Sequence, residues 1–357
     1  MKIKSLGMDN VRSVEWNEDS MSLQLIDQRL IPFRISFIHL TSVQEICSAI
    51  KEMVVRGAPA IGATAGFGIA QAIMEMEDAD ICERKESLDD QLELLLTTRP
   101  TAVDLRNFAL KTYDTALETN FSFEDTLKEA QNLADLMVEE CKLIGEKGAE
   151  MLVDGVRILT HCNAGPLATI DYGTALAPLF IAKNQGKNIK VLVDETRPRL
   201  QGAKITAWEL EQEGIEHYII PDSSAAFLMS KGKVDKVIVG ADRCLMNGTI
   251  SNKIGTLSLA IAAKHFNIPF YSAFPWSTVD LQSESAEDFE IEYRSEDEVK
   301  YVTSFEEKIL IANETSKALN PAFDITPPEL ITGYITSKGI LNLEHLKDEI
   351  QRIKKEE

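Results

Sequence analysis

From Arg157 onward, short β-branched or apolar runs alternate with helical stretches, and this alternation limits the fold more than any other feature of the chain. The candidate strands are Ile158–His161, Lys190–Asp194, His217–Ile220, Lys236–Gly240 and Pro269–Ala273, with helical patterns at 203–213, 223–231 and 252–266. Strands separated by helices of that length run parallel, because each crossover carries the chain back across the sheet. The expected architecture is a doubly wound α/β sheet, which gathers its ligands beyond the carboxyl ends of the strands.

The residues ahead of this pattern read differently. Positions 11–40 carry two or three short strands of a small sheet, and 42–55 place Val43, Ile46, Ile50 and Val54 at helical spacing behind a Ser/Thr cap, ending at Arg56-Gly57. The alanines and glycines that follow permit close helix packing. The acidic run over 75–90 reads as a solvated loop and helix face, TTRPT at 97–101 breaks the chain, and 102–150 is a long helical region. Two domains are expected: residues 1–150, with a small sheet and helices, and residues 151–357, built on the parallel sheet. The closing HLKDEIQRIKKEE reads as an exposed charged helix.

Composition removes whole classes of function. The 357 residues are 44% hydrophobic, enough for a sizeable core, and the formal charge of −20 repels nucleic acid and anionic lipid. Five cysteines (Cys47, Cys82, Cys141, Cys162, Cys244) lie far apart without zinc-type spacing, as free thiols in a reducing compartment do. With no secretory apolar segment at the amino terminus and no run of membrane-spanning length, a cytoplasmic protein is expected.

Candidate chemistry collects where strands end or the chain breaks. The clusters are Arg56-Gly57-Ala58-Pro59, Thr98-Arg99-Pro100-Thr101, His161-Cys162-Asn163-Ala164-Gly165, Asp194-Glu195-Thr196-Arg197-Pro198 and Gly240-Ala241-Asp242-Arg243. A sixth runs from Asn247-Gly248 to Asn252-Lys253 ahead of a helix. Arginine offers a planar fork for phosphate oxygens, and adjacent Gly lets backbone come close. In so acidic a chain an ion pair is the simplest fate of one such arginine, but several at Gly/Pro breaks point to an anionic substrate.

Cys162 ends a strand ahead of a helical pattern, where a thiol is acidified, although a lone cysteine is commonly a small buried hydrophobe. His161 beside it points to the opposite face and makes no dyad with it. Asp242 ends the fourth strand on the same rim, as a phosphate-metal ligand, a ribose-hydroxyl partner, a general acid or base, or a turn cap. Neither a dinucleotide fingerprint, a P-loop, a nucleophile elbow nor a zincin motif is present, and five scattered histidines offer no metal site.

Taken together, VVRGAPAIG, TTRPTAVDL, LTHCNAG with YGTALA, DETRPRLQGAKITAWEL, VIVGADR with NKIGT, and NPAFDITPPELI resemble the methylthioribose-1-phosphate isomerases. The resemblance runs from SVEW at 13–16 to KGI at 338–340, in the family's order. It implies a Rossmann-like doubly wound catalytic domain preceded by a smaller, mainly helical domain with a short sheet, usually in a homodimer. It implies Cys162 and Asp242 as the catalytic pair, and Arg56, Gly57, Ala58, Arg99, Gln201, Asn252 and Lys253 as substrate-binding residues. No cofactor and no metal are implied. The reaction is aldose–ketose isomerisation of 5-methylthioribose 1-phosphate, in methionine salvage.

The family's usual AAP-x-ST reads Ala273-Phe274-Pro275-Trp276-Ser277-Thr278 here, and Glu292–Val299 (EYRSEDEV) also departs from the pattern. If Phe274 or Trp276 faced the C5 substituent, 5-deoxyribose 1-phosphate would be the alternative substrate. Ribose 1,5-bisphosphate isomerisation and a non-catalytic regulatory subunit of the exchange-factor type are further alternatives.

Overall fold

The computed structural model describes residues 1–76, 80–99, 103–283, 285, 291–304 and 307–356, without the side chains of Ile81, Cys82 and Glu356. Pro100 and Thr101 of the TTRPT break, and the side chain of Cys82, therefore lie outside the described residues. The chain divides into two compact units: Met1–Cys141 with Pro166–Gly173, and Lys142–Gly165 with Thr174–Glu357.

The first unit opens with an antiparallel sheet of β1 (Val14–Asn17), β2 (Ser22–Ile26) and β3 (Phe37–Leu40). Helix α1 (Val43–Lys51) starts where Ser42 accepts the Glu45 N–H at 3.2 Å, while the Glu45 carboxylate accepts the Thr41 N–H at 2.7 Å, a reciprocal cap of two donors. It stops at Lys51, short of the expected Arg56-Gly57, because Met53 takes a positive φ of 59° and breaks the ladder. Helix α2 (Ala58–Glu75) is apolar all round and buried on every side from Pro59 to Ile73. Its Gly62 and Gly66 bring its backbone against Asp104 and Thr112, as the small residues suggested. Helix α3 is Ile81–Leu96. The long helical region is two helices, α4 (Val103–Glu118) and α5 (Phe123–Ala149), parted where Asn120 and Phe121 both adopt positive φ. One hydrophobic core, with Trp16, Leu23, Ile46, Phe67 and Phe108, holds this unit together.

In the second unit β4 (Arg157–Thr160) leads to a turn rather than to the continuous helix expected. The next helix, α6 (Pro166–Thr169), belongs to the first unit and is one turn long, and positive φ at Ile170, Tyr172 and Gly173 interrupts the apolar spacing before α7 (Ala177–Asn184) of the second. The pattern continues through β5 (Lys190–Asp194), α8 (Ala207–Gln212), β6 (Glu216–Ile220), α9 (Ala225–Ser230) and β7 (Lys236–Val239). A hairpin of β8 (Arg243–Leu245) and β9 (Ile250–Lys253) follows, so Asn252 and Lys253 end a strand, and helix α10 (Thr256–His265) begins later than the helical spacing suggested. Beyond it come β10 (Phe270–Ala273), β11 (Val279–Asp280), α11 (Asp297–Lys300), β12 (Tyr301–Thr303), β13 (Lys308–Leu310), β14 (Phe323–Thr326), β15 (Gly333–Thr336), β16 (Gly339–Leu341) and α12 (Leu343–Glu356). The last helix is exposed on one side only, since Leu346 and Ile350 are fully buried.

The main sheet has the order β16-β15-β10-β7-β4-β5-β6, all parallel except the edge strand β16. Successive residues feed opposite faces: Ile158, Ile238 and Ile335 join one core, whereas Leu159, Val237, Val239 and Tyr334 join the other. The chain winds outward from β4 through β5 to β6, then returns to the other side of β4 at β7. The carboxyl ends of β4 and β7 therefore flank the reversal of strand order, the crevice where a doubly wound sheet receives its ligand.

Candidate active site

Cys162 follows β4 and Asp242 follows β7, one on each side of that reversal. The two segments touch: a side chain on Gly240 would put its Cβ 2.9 Å from the Cβ of Ala164, so only glycine lets the β7 end close on the Cys162 turn.

The turn is tightly held. Cys162 is half-buried with a φ of +63°, a conformation uncommon for a residue with a side chain. Its N–H donates to Thr196 Oγ1 at 2.8 Å, and its carbonyl accepts the Thr206 hydroxyl at 2.7 Å. Asn163 donates to Thr206 Oγ1 at 3.1 Å and to the buried Glu209 carboxylate. His161 places Nδ1 2.9 Å from Asp194 Oδ2 and Nε2 2.9 Å from the Ile254 carbonyl.

Opposite the turn, β9 carries Asn252 and Lys253, both buried. Asn252 Nδ2 donates to Thr256 Oγ1 at 3.0 Å, and the Asp242 N–H donates to the Ser251 carbonyl at 3.0 Å, which ties Asp242 to the same strand. Lys253 Nζ donates to the Ala322 carbonyl at 3.0 Å and lies 4.6 Å from the centre of the Phe323 ring. Burial pulls its ammonium below the usual lysine range, while the charges of Cys162 and Asp242 push the other way. The thiol, the carboxylate and the ammonium thus share one electrostatic neighbourhood. Gln201, in the segment between β5 and α8, is buried and its Oε1 has no hydrogen-bond partner among the described residues.

Arg294 belongs to this neighbourhood and was not singled out from the sequence. Its guanidinium grips Glu292 through two bonds of 3.0 and 3.1 Å and packs 5.5 Å from the Phe323 ring centre. Burial works against its charge, but Glu292, Glu298 and Asp242 outweigh it and raise its pKa. The signal was an arginine isolated in the acidic run Glu292–Glu298, the stretch already noted as a departure from the family pattern.

The remaining sequence candidates divide. Arg56, Gly57, Ala58 and Arg99 lie in the first unit, at partly exposed positions. Gly57 caps α2 with a φ of +94° and lies against the backbone of Ala168. Arg243 is spent on Asp280 at 2.6 Å, and Arg197 donates to the carbonyls of Pro198 and Val299. Phe274 is wholly buried and packs edge-on against Tyr334 at 6.1 Å, a core residue that selects no ligand. Burial pushes the Cys47 thiol up to about 11 and those of Cys141 and Cys244 higher still, so these three carry the structural role expected of them. One trio among the described residues, His161, Asp194 and Asp222, brings ligand-type atoms within 4.8 Å of one another. Both ring nitrogens face oxygens, Asp222 accepts the N–H groups of Thr196 and Arg197, and Asp194 Oδ1 has no hydrogen-bond partner among the described residues.

A family model described as the initiation factor 2 subunit family matches residues 54–343. The methylthioribose-1-phosphate isomerase of Thermotoga petrophila is 46% identical over 344 residues, covering 96% of this chain and 96% of its own. The crystal structure of 5-methylthioribose 1-phosphate isomerase from Pyrococcus horikoshii is similar with a TM-score of 0.88 at 37% identity, over 97% of each chain. The crystal structure described as translation initiation factor eIF-2B, subunit delta, from A. fulgidus is similar with a TM-score of 0.83 at 42% identity, over 95% of this chain and 100% of that one.

Proposed function

The chain belongs to the initiation factor 2 subunit family, and from that premise we propose that it is an aldose–ketose isomerase converting 5-methylthioribose 1-phosphate to 5-methylthioribulose 1-phosphate. The observation that supports this reading is that Cys162 follows β4 and Asp242 follows the neighbouring β7, at the reversal point of the sheet, with Lys253 within electrostatic reach of both.

The chemistry asks for such a set. A phosphate on the anomeric carbon prevents simple opening to a free aldehyde, so the ring C–O bond must break while the phosphate ester survives. Asp242 delivers a proton to the ring oxygen as that bond breaks. Hydrogen then passes from C2 to C1 and the C2 hydroxyl loses its proton, leaving a ketone at C2 and a methylene at C1. The substrate is oxidised at one carbon and reduced at the next, so the overall change needs no outside electron acceptor. In one route Cys162 removes the C2 proton and an enediol-like species forms; in the other, hydride moves directly and Cys162 balances charge. Deuterium placed at C2 washes into solvent in the first route and is retained at C1 in the second. The Lys253 ammonium steadies negative charge in a water-poor setting, where such a charge acts strongly. Gln201 Oε1 is an acceptor suited to a sugar hydroxyl. Arg56, Gly57, Ala58, Arg99 and Asn252 are assigned to substrate binding with Gln201 and Lys253.

The working form is proposed as a cytoplasmic homodimer. Free thiols at Cys47, Cys141, Cys162 and Cys244 suit a reducing compartment, and Tyr218, Ile219 and Phe227 leave apolar surface on the second unit for a second copy to cover. Parallel turnover of methylthioribose 1-phosphate, 5-deoxyribose 1-phosphate and ribose 1,5-bisphosphate tests the substrate. The first is expected to give the highest kcat/KM. A clear preference for either of the others would overturn the assignment.

A further inference from the structure

We propose that His161 and Asp194 form a shared-proton clasp that positions the Cys162 turn, and that loss of the shared proton sets the alkaline limit of turnover. Both side chains of the clasp are buried, and only its effect on turnover rests on the function proposed above.

The proton count follows from geometry. His161 Nε2 lies 2.9 Å from the main-chain oxygen of Ile254, which can only accept, so Nε2 carries a hydrogen. Nδ1 lies 2.9 Å from Asp194 Oδ2. With Nε2 already protonated, this second contact closes only if a further proton sits between ring and carboxylate. Without it, a nitrogen lone pair would face an anionic oxygen. Both side chains are 1% exposed, and Asp194 Oδ1 has no hydrogen-bond partner among the described residues, so solvent and neighbours do little to relieve a broken pair.

The carboxylates around the ring favour keeping the proton. Asp222 bears on both partners, Glu195 bears on Asp194, and Asp324 stands close enough to sense the imidazolium while accepting the N–H groups of Gly255 and Leu257. Lys253 is the cation that bears on Asp324. Burial disfavours a charged His161, but Asp194 outweighs it and the ring holds its proton above the ordinary histidine range. Burial likewise pushes Asp194 up to about 6, against the pull of His161.

The leverage comes from the three segments this one ring joins. His161 precedes Cys162, Asp194 ends β5, and Ile254 directly follows Lys253. Asp194 also holds the turn through its main chain, since its carbonyl accepts the Thr196 hydroxyl at 3.0 Å and Thr196 Oγ1 accepts the Cys162 N–H. When the clasp loses its proton the contact becomes repulsive, and the left-handed Cys162 loses a support.

The test pairs a spectrum with a pH profile. In protein labelled with ¹⁵N at histidine, a His161→Gln variant identifies the His161 resonances among the five histidines. Both ring nitrogens of His161 are expected to be protonated at neutral pH, and to stay so beyond the ordinary histidine value of about 6.5. A neutral ring bearing only Nε2–H at neutral pH would overturn the clasp. In Asp194→Asn the amide donates to a neutral Nδ1, so the contact closes without the extra proton. With the turn still held, its alkaline limb should flatten or move up by at least about one pH unit. An alkaline limb identical to that of the wild type would also overturn the proposal. The spectrum needs no turnover: a doubly protonated His161 in a protein inert towards methylthioribose 1-phosphate sinks the function and leaves the clasp standing, and a neutral His161 in an active enzyme does the reverse.

Discussion

Gly57→Ala is the substitution whose consequence can be worked most fully from the structure. Gly57 caps α2 with φ +94° and ψ 133°, a region that residues with side chains rarely enter. An added Cβ would lie 2.2 Å from the carbonyl oxygen of Ala168, 2.5 Å from its Cα and 2.7 Å from its carbonyl carbon. All three are backbone atoms, so no rotamer change relieves them, and ordinary contact begins at 3.4 Å. The main chain at the start of α2 or at Ala168 must therefore move by about 1 Å, and with the binding role proposed for this segment a shift of that size is expected to lower kcat/KM by about 100-fold. Backbone strain and overpacking together are expected to destabilise the fold by about 2–6 kcal/mol. Gly232 is the control: it too has a positive φ, +60°, but nothing lies within 4 Å of its ideal Cβ. Gly232→Ala should show only the strain, about 1–2 kcal/mol, with turnover unchanged. Urea unfolding and steady-state kinetics read both quantities. If Gly57→Ala stays within about 0.5 kcal/mol of the parent and within about threefold in kcat/KM, the close approach and the binding role of this turn are both refuted.

Two further expectations concern charge and thiol chemistry. Burial holds the Lys253 ammonium below its ordinary 10.5, so between the depressed value and 10.5 the unfolded chain binds a proton that the folded chain releases. Stability from this group therefore rises with pH through that window and is penalised below it. Lys253→Met should be at least as stable as the parent at neutral pH, with an advantage that shrinks towards alkaline pH, while kcat/KM falls by about 100-fold or more; unfolding curves at several pH values would contradict this if the advantage grew instead. Iodoacetamide under native conditions should label Cys162 well ahead of Cys47, Cys141 and Cys244, whose thiols burial holds protonated. Peptide mass spectrometry showing Cys141 or Cys244 modified first would refute that ordering.

The parts of the fold legible in the sequence are those written in periodicity. Runs such as Lys190–Asp194 and Lys236–Val239 are buried on both faces of a parallel sheet, and that state leaves a continuous apolar signature. Helix ends and short turns were less legible because backbone conformation decided them. Met53 ends α1, while Ile170 and Tyr172 cut the helix after Gly165, through positive φ values that no residue pattern announces. Lys253 was placed at the head of a helix because Thr256–His265 carries the periodicity, yet pairing with β14 draws Asn252 and Lys253 into a strand. In the candidate site, Cys162 and Asp242 were readable as residues following strands. The adjacency of those strands was not, because strand order is a long-range property. Arg294 stayed hidden for a similar reason, since its site partners Asp242 and Phe323 lie far from it along the chain.

The most direct test of the central claim is ketose formation from 5-methylthioribose 1-phosphate by the parent protein, Cys162→Ala and Asp242→Asn, with substrate binding to each measured by calorimetry. The parent is expected to turn over, while both variants bind substrate and lose at least about 1,000-fold in kcat, the loss of one chemical role at an intact site. Either variant retaining the parent's kcat would contradict the assignment of chemistry to this thiol and this carboxylate.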